Sequence, residues 1–189
     1  MIKNISNLGD TAVYCDFGSE VNEAINSNVI DYFDHLSKLL KEEKIKGITN
    51  LTPSYNKLIV SFDLSLTNYK ETKDLIENLI IKRNIKKNNK KIEIPVCCEK
   101  EYGLDFERLN TKLNTNEDEI LKLFFNKEYF CYMTGFIAGM PFLGDLNEKI
   151  RCDRLETPRV KVPKGSVGIT EQFANIYTFE SPGGWNIIG

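Results

Sequence analysis

A chain of 189 residues with 41% hydrophobic and 28% charged side chains has the apolar material for a sizeable core in one or two domains, which excludes a disordered chain. Its 25 basic and 27 acidic residues leave a net charge of −2, so no global field draws nucleic acid or an acidic membrane surface. No apolar run nears the ~18 residues of a membrane span, and the opening MIKNISNLGDTAVY has no signal-peptide core, so the expected location is the cytoplasm.

Residues 11–17, TAVYCDF, follow a Gly9-Asp10 turn signal and are rich in strand formers, which predicts a first strand ended by Gly18. Val21, Ile25, Val29, Tyr32, Phe33, Leu36 and Leu40 then recur at three- and four-residue spacing. That period predicts an amphipathic helix, capped by Ser19 and running to about Lys44. Gly47 breaks it, and Ile48–Leu51 starts a second strand that ends near Pro53. KLIVSF at 57–62 predicts a third strand, and Leu75, Ile76, Leu79 and Ile80 place a second helix within 68–83.

The basic stretch Lys82–Lys91, KRNIKKNNKK, has no interleaved aromatic residue and is expected to be a solvated linker rather than a nucleic-acid surface. Lys91–Cys97, KIEIPVC, alternates like a fourth strand, with Pro95 suiting it to an edge. The order β-α-β-β-α-β is that of the ferredoxin-like split βαβ fold. The expected class is therefore α+β, with an N-terminal α/β domain over residues 1–90 and a second domain over 91–189.

Two short helices follow, one over Leu104–Leu113 and one opened by a Thr115 to Asp118 capping box before EILKLFFN. Glu117, Asp118 and Glu119 complement the positive end of that helix and need no metal or acid/base role. From Tyr129 onward, short β-type runs punctuated by Gly and Pro predict a mainly β domain, a barrel or compact sandwich.

Catalytic machinery that could act alone is scarce. His35 is the only histidine and sits on the first helix, which excludes a multi-histidine zinc site. Cys15, Cys97, Cys98, Cys131 and Cys152 form no CxxC pair, and an odd count suits reduced, mostly buried thiols. Lys164-Gly165-Ser166 lacks the order of a phosphate loop, and GSVG around Ser166 is not a GxSxG elbow.

What remains is polar chemistry on turns. Arg159 follows a proline of fixed φ and suits a carboxylate or phosphate; Lys164 and Ser166 flank Gly165, whose backbone could approach an anion. Ser181, Gly183 and Gly184 add a hydroxyl and a permissive backbone beside Trp185. Each also has a purely structural explanation, because turns need Gly and Pro and a single Trp is usually core.

YMTGFIAGMPFLGDL, LETPRVKVPKGSVGI and IYTFESPGGWNIIG, with the earlier NLGDTAVYCDFG and IPVCCEKEYGLDFERL, resemble successive blocks of the 5-oxoprolinase B-subunit family, also known as allophanate hydrolase subunit 1 or carboxyltransferase subdomain. The resemblance spans essentially the whole chain. It implies an N-terminal α/β domain joined to a C-terminal cyclophilin-like β-barrel. It also implies a protein that works with 5-oxoprolinase subunits A and C to convert 5-oxoproline to glutamate, with ATP used by the assembled complex, no metal on this chain, and little activity alone. Under it, Arg159 and Lys164 hold an anionic substrate, while Ser166, Ser181 and the Gly183-Gly184 backbone supply hydrogen bonds. The family also implies two alternatives, an inhibitor that binds a sporulation histidine kinase and a carboxyltransferase component of the allophanate hydrolase or urea carboxylase type.

Two stretches depart from the family pattern. Ile137-Ala138-Gly139-Met140 stands where a proline is usual, and Thr170–Asn175 replaces a Gly-rich turn. Family members also continue past SPGGW for further strands, so the barrel is expected to be incomplete, its open edge covered by a partner or a second copy.

Overall fold

The computed structural model describes residues 1–81 and 90–189, divided into two compact units, Met1–Lys90 and Lys91–Gly189. The class is mixed α/β. The Lys82–Lys91 linker expectation falls largely outside the described residues.

In the first unit, β1 (Asn4–Asn7) and β2 (Ala12–Asp16) form an antiparallel hairpin. Helix α1 (Glu23–Lys41), β3 (Ile48–Pro53), β4 (Lys57–Phe62) and α2 (Tyr69–Glu77) follow. The sheet runs β1-β2-β4-β3 and every pair is antiparallel. Along β4, Leu58, Val60 and Phe62 are buried and alternate with half-buried residues, the two-residue period of a strand with one face on a core. They pack with Val13 and Cys15 of β2, Val29 and Leu36 of α1, and Ile76 of α2.

Three expectations fail here. Lys91–Cys97 forms no strand. Pro95 offers no donor, and five of its neighbours, Lys91 to Glu93, Ile94 and Cys97, are exposed, so nothing rewards a ladder. The edge beside β2 belongs instead to β1, which the polar sequence NISN conceals. Helix α1 starts three residues later than Ser19 suggests, because the Asn22 side chain accepts the Ile25 N–H at 2.9 Å and closes the first turn. It also stops at Lys41 rather than Lys44.

Asp16 accepts hydrogen bonds from the Lys57 ammonium and the Gly18 N–H, and Lys57 also donates to the Gly18 carbonyl at 2.6 Å. The Lys57 bond holds the Asp16 carboxyl below its ordinary 3.8. A carboxylate depressed on folding stabilises the native state above its unfolded pKa, and that contribution is lost as pH falls through the lower folded value. Acid destabilisation is therefore expected below about pH 4, and Asp16→Asn should remove part of it. Urea midpoints of the two proteins should differ near neutrality and converge as pH falls below the ordinary carboxylate range; a constant gap would reject the linkage.

The second unit carries α3 (Phe106–Leu113), α4 (Glu117–Phe125), β5 (Phe130–Thr134) and β6 (Pro141–Gly144). After a 3-10 turn at Glu148–Ile150 come β7 (Arg159–Val162), β8 (Val167–Thr170), β9 (Phe173–Ile176), β10 (Ser181–Gly183) and β11 (Asn186–Ile187). A five-stranded antiparallel sheet runs β11-β8-β9-β6-β5, and β10 and β7 form a separate two-stranded ribbon. One face of the sheet packs on the helices through Phe106, Leu109, Ile120, Phe124, Ile169, Ala174 and Ile188. Alternate residues gather Met140, Tyr177 and Ile187 with Val162 of the ribbon into a smaller cluster.

Helix α4 is capped by Asn116, whose side chain accepts the Glu119 N–H at 2.9 Å, rather than by Thr115. The thiols also differ from expectation. Cys15 and Cys152 are buried, while Cys97 and Cys131 are exposed and Cys98 lies between.

Candidate functional site

The polar residues of the second unit converge around the ribbon. Asp105 precedes α3 and is 5% exposed. Its side chain does not cap its own helix. Instead it accepts from Arg159 Nη1 at 3.0 Å and Nη2 at 2.7 Å, and its Oδ2 accepts the Ile187 N–H at 2.6 Å. The Asp105 N–H donates in turn to the Ile187 carbonyl at 3.1 Å. One carboxylate thus ties α3 to β7 and β11. The fork of Arg159 matches it in the two-point geometry that guanidinium favours.

Arg159 therefore already has an internal anion, and a substrate carboxylate would have to compete with Asp105 for those donors. Lys164 lies in the turn between β7 and β8 with its ammonium 5.8 Å from the centre of the Phe179 ring. Gly165 adopts φ +92°, where a side chain would be strained. Its N–H donates to the Tyr177 carbonyl at 2.7 Å, and the Ser166 N–H to the Pro163 carbonyl at 3.3 Å. The expected approach of these two amides to an anion is thus corrected, since the turn itself uses both.

Ser181 sits on β10 opposite Val162, and Gly183 sits opposite Arg159. The structure thereby places Arg159, Ser181 and Gly183 on one ribbon, with Lys164 and Ser166 in the turn that leaves it. Gly183 is required locally, because a Cβ there would lie 2.2 Å from the Tyr177 hydroxyl oxygen. Gly184 is buried, and its carbonyl accepts the Leu155 N–H at 2.7 Å. The double glycine serves close packing rather than an open anion cradle.

Several residues that sequence reasoning passes over complete the site. Tyr177 is 1% exposed. Burial raises its pKa, opposed by the Asn175 side chain, the Trp185 N–H and the nearby Arg154 and Arg159 charges. Asn175 is fully buried on β9 with its side chain against the Tyr177 hydroxyl, and the Ser181 hydroxyl is buried and unpartnered among the described residues. The Arg154 guanidinium lies 5.8 Å from the Trp185 ring centre. On the helix side, Arg108 donates to the Cys152 sulfur, the Asp153 and Arg154 carbonyls and the Asn186 side chain. Asn175 did carry a signal, being a single polar residue inside the apolar run FANIY.

A match to the family described as carboxyltransferase domain, subdomain C and D, covers residues 3–189. The 5-oxoprolinase B-subunit of Bacillus subtilis is 31% identical over 98% of this chain and 80% of its own length. The protein of the same name from Haemophilus influenzae is 44% identical over 52% of the chain, which is 46% of its own length. The crystal structure of TTHA0988 superposes with a TM-score of 0.81 at 26% identity over 95% of this chain, a region that is 34% of the TTHA0988 chain. The region shared with the Haemophilus relative is thus less than half of that protein, and the region shared with TTHA0988 about a third of it. On the family match over residues 3–189 and the near-complete alignment with the Bacillus relative, the chain belongs to the carboxyltransferase domain family, subdomains C and D, which it shares with the 5-oxoprolinase B-subunits.

Proposed function

We propose that this chain is a component of an ATP-dependent 5-oxoprolinase, which adds water across the lactam C–N bond of 5-oxoproline to give glutamate. It works with companion subunits A and C rather than alone. The observation that carries this reading is the 31% identity to the 5-oxoprolinase B-subunit of Bacillus subtilis over 98% of the chain. The fold assignment that goes with it makes the first unit a split βαβ domain in which β1 takes the fourth-strand position, and the second unit a portion of a cyclophilin-like barrel. The Lys164-Gly165-Ser166 turn joins two strands and opens no helix, which supports placing nucleotide binding on another subunit.

Lys164 is the side chain on which to test the reading, because among the described residues its removal breaks no internal hydrogen bond or ion pair that the fold uses. A charge-assisted contact to a substrate carboxylate contributes about 1.5–3 kcal/mol. Mixed with subunits A and C, Lys164→Ala is expected to lower ATP-dependent glutamate formation by roughly 10- to 100-fold with its urea midpoint unchanged. Absence of ATP-dependent glutamate in the wild-type mixture would overturn the assignment, and full activity of the variant would remove Lys164 from it.

A second reading, a protein that binds a histidine kinase, draws support from Phe136 and Phe179, which are 69% and 56% exposed. Phe136 is also held at φ +66°, unfavourable for a bulky residue and of the kind found at binding surfaces. A direct binding assay with the kinase separates this reading from the first.

A further inference from the structure

Five cysteines are spread over the chain, and two of them are consecutive, Cys97 and Cys98. Cys15 and Cys152 are buried, whereas Cys97 is exposed and Cys98 half-buried. Neither residue of the pair belongs to a helix or strand, and among the described residues no backbone hydrogen bond engages the N–H or C=O of either. A buried structural thiol is inert for want of access. This pair is reachable, and its backbone is free of the ladder that would hold it in place.

The two thiols are also placed unequally. Cys97 meets solvent first. Burial, then the neighbouring Cys97 and Glu117, push the Cys98 thiol up, so Cys98 is the poorer nucleophile toward a solute. An accessible thiol with a more sheltered one beside it is the arrangement in which the first is oxidised and the second resolves it.

Consecutive Cα atoms across a trans peptide lie about 3.8 Å apart, and the bond between Cys97 and Cys98 is trans. An ordinary disulfide spans roughly 4.4–6.8 Å between its Cα atoms. A bridge between chain neighbours is therefore strained, and strain makes a disulfide easier to reduce. Such a bond is unsuited to holding a fold together and suited to being made and broken.

Closing it disturbs a packed neighbour. A Cβ built on Gly189 would lie 2.6 Å from Val96 Cγ1, 2.9 Å from the Cys97 carbonyl oxygen and 3.3 Å from Cys98 Sγ, so the Gly189 backbone rests directly on this segment. The Gly189 carbonyl accepts the Val167 N–H at 2.7 Å at the start of β8, just after the Lys164-Gly165-Ser166 turn. Turning the Cys98 sulfur toward Cys97 takes it away from Gly189 and twists the carbonyl that lies between the two cysteines.

We propose that Cys97 and Cys98 are a redox-modification site, a vicinal thiol pair that a small disulfide oxidises reversibly and whose state is transmitted to the start of β8. The Cys97 thiolate attacks one sulfur of the reagent and displaces the other as a thiolate, which takes up the proton that Cys97 gave up. Cys98 then loses its proton and attacks the Cys97 sulfur, expelling the second half of the reagent as a thiol. Two electrons and two hydrogens pass from the cysteines to the reagent, which leaves as two thiols. This chemistry is independent of the 5-oxoprolinase reading.

The test treats the chain with bis(2-hydroxyethyl) disulfide, an uncharged reagent that the adjacent Glu99 and Glu101 do not repel, and digests it after an acid quench. Mass spectrometry is expected to find the peptide holding Cys97 and Cys98 lighter by two hydrogens, with reduced glutathione restoring its mass. Cys98→Ser is expected to stop at a stable adduct on Cys97, Cys97→Ser to react at least about tenfold more slowly, and Cys131→Ser to behave as the wild type. Oxidation is expected to speed amide hydrogen exchange at Val167 by about tenfold, the loss of roughly one hydrogen bond, and to leave β4 in the other unit unchanged. A persistent adduct on Cys97 in the wild-type chain, a disulfide between two chains in its place, or an equal rate in Cys97→Ser would each overturn the site, and unchanged exchange at Val167 would overturn its link to β8. The wild-type mass spectrum decides the site even if a serine variant fails to fold.

Discussion

Arg159→Ala is expected to destabilise the second unit by about 3 kcal/mol, the lower end of the roughly 3–5 kcal/mol seen when a buried ion pair loses one partner. Asp105 is 5% exposed, and without Arg159 its side chain keeps one donor among the described residues, the Ile187 N–H. A buried carboxylate with one donor is poorly solvated, and water cannot replace the lost guanidinium without opening the junction of α3, β7 and β11. The lower end applies because the Arg159 side chain is 26% exposed, so some water reaches the pair already. Replacing both partners with apolar residues, Asp105→Leu with Arg159→Met, should recover most of the loss, since the pair contributes less than the unpaired charge costs. Urea unfolding of the two variants measures both. A loss below about 1 kcal/mol in Arg159→Ala would mean that the pair is not structural, and that Arg159 is available to an external carboxylate.

Leu109→Ala should be comparably severe, about 2–5 kcal/mol from lost burial and the cavity left behind. Leu109 is fully buried on α3, in the core that joins both short helices to the sheet. Helices of eight and nine residues are too short to persist in water on their own propensity. Their docking therefore depends on side chains such as Leu109, Ile120 and Phe124. The urea midpoint reads the effect, and its size distinguishes core from surface: a shift within about 0.5 kcal/mol would place Leu109 outside the core.

The helices and central strands were legible because they follow from local period. KLIVSF predicts β4 and forms it over the same residues, Lys57–Phe62, since its alternation needs only one apolar neighbour surface to be satisfied. Element ends were less legible. Ser19 and Asn22 are both good N-cap residues, and the contest between them was decided by Asn56, whose amide binds the Gly18 and Glu20 carbonyls at 2.8 and 3.0 Å and keeps that segment outside the helix. Lys91–Cys97 shows the opposite failure, a strand-like pattern that joins no ladder.

By itself the sequence determined where apolar faces would fall, that the last third would be built from short strands, and that the chain carries its family's signature blocks from end to end. Tertiary structure alone decided what the polar residues do. Asp105 meets Arg159 across 54 positions and Ile187 across 82, and Asn175 is oriented by the absence of a side chain at Gly168 on the neighbouring strand. Periodicity records whether a residue faces inward, but the partner of an inward polar group is set by which distant strands share a sheet, and that depends on the packing of the whole unit.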